Sequence, residues 1–170
     1  MHQPTKFSII DLTLQDKKTS QYNLIKFIWE MIVMENLTIN LEQGKYIAQI
    51  QTLKKDEDES SAMAPYLSEH AIITHESDHY FITLMIQEEH VITGFQLIQK
   101  DRELNQAIDK QIDQETKVRY EIFQLANLQT IIHARVQYEI DHEGNIFKGD
   151  EELRLFIDSE TIQNVDDIEL

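Results

Sequence analysis

The sequence contains no cysteine, which excludes disulfides, thiolate-held metals and cysteine nucleophiles. That absence suits the cytoplasm and equally the cysteine-poor surface proteins of some bacteria, so it leaves the compartment open. With only four glycines in 170 residues, glycine-rich phosphate cradles are excluded, and neither Gly-x-Ser-x-Gly nor His-Glu-x-x-His occurs. Basic residues are scarce, 15 against 31 acidic ones, for a net charge of −16. A field of that sign repels phosphate backbones and anionic lipid headgroups, which argues against nucleic acid as a partner. No run reaches the roughly 18 apolar residues of a membrane span. The best candidate, Leu24 to Met34, is interrupted by Lys26 and Glu30 and is followed by no small-residue cleavage site, so no intact signal peptide is seen.

What is present is an apolar fraction of 41%, enough for one domain with a real core plus an appendage. Residues 1–40 form the expected appendage: a strand over Phe7 to Leu14, then an amphipathic helix from Ser20 to about Asn36 with Leu24, Phe27, Ile28 and Met31 at helical spacing. From residue 41 the pattern changes to short strands. Tyr46, Ala48, Ile50 and Thr52 alternate with wetter neighbours. Strands are further expected at Ala71 to Thr74, His79 to Gln87, Val91 to Ile98, Lys117 to Gln124, Ile131 to Ile140 and Glu152 to Ile157. The polar stretch from Gln99 to Thr116 reads equally as strand with a loop or as a short helix. In the strand over 131–140, Ala134, Val136, Tyr138 and Ile140 share one face, and Asp141 to Asn145 is a hairpin turn with Gly144 able to take positive φ. Residues 159–170 read as an acidic flexible tail. Short strands at intervals of about ten residues predict an all-β, immunoglobulin-like antiparallel β-sandwich over 41–158.

Between the acidic run Lys54 to Glu59 and the next strand lies Ser60 to Leu67, expected as a short helical turn on the sheet's rim. Ser61 is its expected N-cap, Pro65 limits its length, and Met63, Tyr66 and Leu67 share a face. Stripes of this spacing usually plug a core; here a lip over a ligand pocket is the alternative. Seven histidines are present, but His75 and His79 flank a turn, where four-residue spacing gives no shared face, so no metal site is assigned. No catalytic residues are assigned either.

The segments Gly44-Lys45-Tyr46, Ser61 to Leu67, His79 to Leu84, Val91 to Phe95, Thr116 to Ile122, and the hairpin from Ala134-Arg135-Val136 to Leu153-Arg154-Leu155 together resemble a NEAT domain. That family is the haem- and haemoglobin-binding module of bacterial iron-acquisition surface proteins. The resemblance implies haem between the lip and the last hairpin, with a lip serine on a propionate, a hairpin tyrosine on the iron and a second tyrosine four residues later bonding the first. By position it implies Ser61, Met63 and Tyr66 in the lip, and Phe81, Ile92, Val136 and Ile140 in the pocket wall. An ungapped reading puts Asn145 and Gly149 where the tyrosine pair belongs. Asparagine supplies no phenolate for ferric iron, so the implied haem site is degenerate, with Met63 or His142 as substitute ligands.

The resulting expectation is a non-enzymatic binding module of the haem-iron acquisition type. Its expected ligand is haem or a haemoprotein such as haemoglobin, and haem is the one candidate cofactor. The alternative is a protein-interaction domain on the same sandwich that no longer binds haem. The resemblance implies the cell surface or secretion, while the lack of a visible signal peptide keeps the cytoplasm open.

Overall fold

The computed structural model describes residues 37–167. The chain divides into two units, 1–36 and 37–170, and the strand and helix expected before residue 37 lie outside the described residues. Among the described residues twelve strands follow one another: β1 (Thr38–Ile39), β2 (Gly44–Lys54), β3 (Leu67–Glu76), β4 (His79–Ile86), β5 (Ile92–Ile98), β6 (Leu104–Asn105), β7 (Asp109–Ile112), β8 (Arg119–Leu125), β9 (Leu128–Gln129), β10 (Ile131–His142), β11 (Asn145–Ile157) and β12 (Gln163–Asn164).

The long strand β2 ties two layers together. Its first half pairs with β3 and its second half with β11, all antiparallel. One layer therefore runs β2-β3-β4-β8-β7 and the other β2-β11-β10-β5-β6. The segment after β6 carries the chain from the outer edge of one layer to that of the other. Asn105 Nδ2 donates to the carbonyl of Gln124 over 2.8 Å, and the Ile108 amide donates to that of Ile122 over 2.8 Å, which draws the two edges together. The expected all-β sandwich is what forms.

Period-two burial explains the layers. Tyr46, Ala48, Ile50 and Thr52 of β2 point inward and are buried, as are Tyr80, Ile82, Leu84 and Ile86 of β4. From the facing layer come Phe95, Leu97, Ala134, Val136, Leu153 and Leu155, each at most 1% exposed. Phe95 and Phe123 meet across the core edge to face, ring centres 6.1 Å apart. Both two-residue hairpin turns hold positive φ, Ser77–Asp78 at 49° and 64° and Glu143–Gly144 at 53° and 83°, the sense that matches strand twist.

Three expectations change in detail. The stretch from Gln99 to Thr116 contributes the short strands β6 and β7. Residues 159–164 are tied down: the Asp158 side chain caps a 3-10 turn at Ser159–Thr161, Thr161 Oγ1 accepts from the Gln49 amide over 2.9 Å, and β12 pairs with β2. Thr38–Ile39, grouped by sequence with the appendage, pairs with Leu128–Gln129 of the sandwich unit.

Candidate functional site

The rim turn forms because β2 runs out of partners. Beyond Lys54 the chain doubles back, with the Lys54 amide on the Glu59 carbonyl (2.9 Å) and a bridge between Leu53 and Ser60. The acidic run is held as a strap. Lys54 Nζ reaches Glu57 and Glu59 at 2.9 and 2.6 Å. Buried Arg154 donates from Nε to the Lys54 carbonyl (3.0 Å) and from Nη2 to Asp58 Oδ1 (2.8 Å). The acidic charges thus stay at the surface, two on the Lys54 ammonium and one on the buried Arg154 guanidinium.

The 3-10 turn itself spans Ala64–Tyr66, with Met63 and not Ser61 as its N-cap residue. The Ser61 hydroxyl still accepts an amide, that of Met63, over 3.1 Å, two residues ahead of the observed cap. Pro65 occupies the first turn, where its missing amide costs nothing. Met63 and Leu67 sink into the core, each 3% exposed, while Tyr66 packs half-buried against it.

Opposite lies the β10–β11 ribbon. Its base is flanked on both sides, by β5 up to the Ile92–Tyr138 pair and by β2 up to the Lys54–Leu153 pair. A register shift against β5 between Gln137 and Tyr138 marks where the ribbon begins to leave the sheet; the Glu139 amide makes the last bond to that side, on the Val91 carbonyl (2.9 Å), and from Ile140 on β10 pairs with β11. Directly paired residues share a face. The inner face of the ribbon therefore carries Val136, Tyr138, Ile140 and His142 from β10, and Glu151, Gly149, Phe147 and Asn145 from β11.

The register measures which predicted residues meet. Ser60 stands two strand spacings, about 10 Å, from Arg154 across Leu53. Along β11 from Arg154, Glu151 is about 10 Å away, Gly149 about 17 Å and Asn145 about 30 Å, close to the diameter of a small domain. Ser61, Met63 and Tyr66 thus sit at the same end of the sandwich as Ile92, Val136 and Ile140. Ile92 and Val136 are fully buried, and Ile140 packs against the core. Two positions fall elsewhere. Asn145 is exposed at the ribbon's tip. Phe81 alternates out of phase with inward Tyr80 and Ile82, and lies five residues, about 17 Å, before the Ile86 that pairs with Leu67 at the rim.

The inner face also holds a pair that the sequence did not single out. Tyr138 lies across β11 over Gly149, so closely that a Cβ built there would fall within the phenol ring. Its hydroxyl donates to Glu151 Oε1 over 2.8 Å. That bond to a carboxylate, followed by burial, holds the phenol above its ordinary titration range. The face alternation did place Tyr138 with Val136 and Ile140; its meeting with Gly149 and Glu151 needed the register of β11. Next to the exposed Asn145, Ile146 and Phe147 are 62% and 58% exposed, two adjacent apolar residues on opposite faces of the free tip.

A second polar cluster faces the interior from β8. Glu121 is fully buried, with its Oε1 2.8 Å from Arg119 Nε and 3.2 Å from Lys110 Nζ. The Arg119 contact is not aligned as a hydrogen bond, and Arg119 Nη1 instead donates to the Glu89 carbonyl at 3.1 Å. His75 stacks on Tyr80 at 4.3 Å and bonds the Leu41 carbonyl at 2.7 Å, a packing role. Among the described residues no three His, Asp or Glu side chains converge as metal ligands, and no helix there is long and apolar enough to cross a membrane.

A two-layer antiparallel sandwich with a rim 3-10 turn and a projecting terminal ribbon defines the class: an immunoglobulin-like β-sandwich domain. Residues 39–159 match the family model NEAT, the Iron Transport-associated domain. The chain belongs to the NEAT family. Among solved structures it is similar to the NEAT5 domain of IsdX2, a B. anthracis hemophore in complex with heme, at 19% identity and a TM-score of 0.59, covering 69% of this chain and 97% of that one. A mutant of the same domain, also in complex with heme, gives 21% and 0.60 over the same shares. At such identities the likeness concerns the fold. Comparison with curated proteins finds no match.

The donor chemistry of the site can be set against a ferric porphyrin. Asn145 does not fit, being a neutral amide at the exposed tip of the ribbon, about 30 Å along it from Arg154. The wall of Ile92, Val136 and Ile140 and the phenol–carboxylate pair of Tyr138 and Glu151 do fit, since apolar surface with a few convergent polar groups, one of them an oxygen donor, is what such a ligand takes.

Proposed function

We propose that the chain is a non-enzymatic binding module for haem or a haemoprotein in iron acquisition, with a haem site that has lost the tyrosine pair of the second hairpin strand. The observation that carries this reading is the placement of the Ser61–Tyr66 rim and the inner face of the ribbon at one end of the sandwich, with Ile92, Val136 and Ile140 between. In the similar solved domains the same fold is recorded in complex with heme. Within the site, Ser61 and Tyr66 line the rim, Met63 anchors it from beneath, and the β5 and β10 side chains form the apolar wall. The module works at the cell surface or after secretion, as its family does. Titration of the purified full chain with haemin tests the reading: a saturable, stoichiometric Soret shift is expected, and a spectrum equal to free haemin at every ratio would remove it.

A second reading, a protein-interaction domain without haem, is favoured by one feature, the exposed Ile146 and Phe147 at the ribbon's tip. Capture of haemoglobin by the chain, lost on Phe147→Ala with no Soret change, would favour it.

A further inference from the structure

Coordination of ferric haem iron asks for an anionic oxygen, nitrogen or sulfur donor at the open face of the slot, and the described residues offer few. Met63 is spent in the core at 3% exposure. His142 pairs with Asn145 at the extreme tip, about 30 Å along the ribbon from Arg154. On the inner face of β11, a four-residue spacing can fall at 145 and 149 or at 147 and 151, because both pairs keep the same face. Neither holds a phenol: the first is Asn145 and Gly149, the second Phe147 and Glu151.

The phenol on this face comes from the other strand. Tyr138 is opposite Gly149, and its ring crosses onto β11 into the volume that any side chain at 149 would occupy. Its hydroxyl, on the exposed side, ends 2.8 Å from Glu151 Oε1. Glycine at 149 is therefore required by the ring and not by the backbone, since Gly149 is absent from the positions with positive φ. Glu151 in turn has Val136 opposite it, on the apolar wall. A tyrosine placed flat against a wall, freed of steric competition by a glycine and hydrogen-bonded to a carboxylate, is an oriented oxygen donor.

We infer that Tyr138, supplied by the first strand of the ribbon, is the oxygen ligand for ferric haem iron, with Glu151 as its hydrogen-bond acceptor and Gly149 as the residue that makes room for its ring. This inference rests on the haem-binding reading above. With haem bound, Tyr138 would hold the iron through its phenolate oxygen in place of a water or chloride released to solvent, the phenol's proton passing to the Glu151 carboxylate, which would then donate to the phenolate. The partner carboxylate orients the phenol and takes up the proton that ligation displaces.

The test is haemin titration of the full-length chain and of Tyr138→Phe, read by visible absorption and by resonance Raman bands of iron-bound phenolate. The wild type is expected to show those bands; Tyr138→Phe should lose them and bind more than roughly 100-fold more weakly, a larger loss than removal of an outer-shell partner. Glu151→Gln should keep the bands, shifted, with about tenfold weaker binding. Circular dichroism and thermal midpoint establish that each variant folds; should Tyr138→Phe fail to fold, Glu151→Gln decides, and unshifted bands with wild-type affinity overturn the inference. Wild-type bands and affinity in a folded Tyr138→Phe also overturn it while leaving haem binding in place. No haemin binding by the wild type removes the haem-binding reading itself and this assignment with it.

Discussion

The two halves of the β10–β11 ribbon are made by one hairpin yet obey different rules. At the base, between residues 131–138 and 149–157, β5 and β2 flank the pair, and Ala134, Val136, Leu153 and Leu155 are sealed in the core. At the tip, residues 140–147 of the two strands pair with each other, beyond the last bond to the flank from the Glu139 amide to the Val91 carbonyl, and Ile146 and Phe147 face water. Base side chains are chosen by packing; tip side chains are held by exposed local contacts such as the Lys148–Glu139 ion pair (2.6 Å) and the Gly144 amide on Asp141 (2.8 Å). Tyr138, Gly149 and Glu151 stand at the junction, where the fold is rigid enough to aim a side chain and open enough to expose it.

The largest expected effect breaks the base. Leu155→Ala empties a site with no solvent exposure and should cost about 2–5 kcal/mol, whereas Phe147→Ala at the tip should change stability by less than about 0.5 kcal/mol. Urea titrations of both variants check this, and equal midpoints would erase the distinction between base and tip.

Next comes the strap that fixes the rim against the base. Arg154→Ala leaves the Lys54 carbonyl and Asp58 without their donor and should cost about 1–3 kcal/mol. Proteolysis within residues 55–60 should accelerate in parallel, which distinguishes a loosened rim from a general loss of packing.

Gly149→Ala sharpens the junction. The added methyl must displace the Tyr138 ring, an overpacking cost of about 1 kcal/mol on this open face. In Tyr138→Ala the same glycine substitution should cost nothing, so a double-mutant cycle in thermal stability measures the coupling.

Smaller still is a pH effect. The folded Tyr138 phenol titrates above its ordinary value, because its proton is held by Glu151 and then because of burial. The native state therefore binds the proton more tightly than the unfolded chain. The resulting stability is fully present below about pH 10, the ordinary tyrosine value, and is lost as pH rises through the raised one. A wild-type thermal midpoint that falls more steeply above about pH 10 than that of Tyr138→Phe is the expected result.

The smallest effect belongs to the outer face, where Arg135 and Asp150 form an ion pair 39% exposed on each side. The hydrogen bond from Arg135 holds the Asp150 carboxyl below its usual range. That contribution is present above the ordinary carboxylate value and fades as pH falls through the lowered one. Arg135→Met should leave the midpoint nearly unchanged at neutral pH and flatten its acid limb slightly.

Most of the sandwich was legible because its strands have one dry and one wet face. Tyr46, Ala48, Ile50 and Thr52, or Ala134, Val136 and Tyr138, announce themselves by alternation. The start of β11 did not, since residues 145–148 are all exposed and carry no contrast between faces. Phe81 was assigned to the pocket wall by its position in a family pattern, yet position in the chain does not say which face a side chain takes; the inward phase of Tyr80, Ile82 and Leu84 does. Ser61 was expected to cap the rim turn and instead bonds the Met63 amide ahead of it, because Pro65 lets the turn begin only at Ala64.

The sequence by itself determined that this chain folds as an antiparallel sandwich, where its rim and last hairpin lie along the chain, and that its net charge is −16. Those properties are local or summed, carried by period-two burial, turn residues and composition. Only the tertiary structure decided that Asn145 stands far out on the ribbon and that Tyr138 reaches over Gly149 to Glu151. The physical reason is register: a strand fixes which face a residue takes, but only the pairing with a partner strand fixes which residue stands beside it.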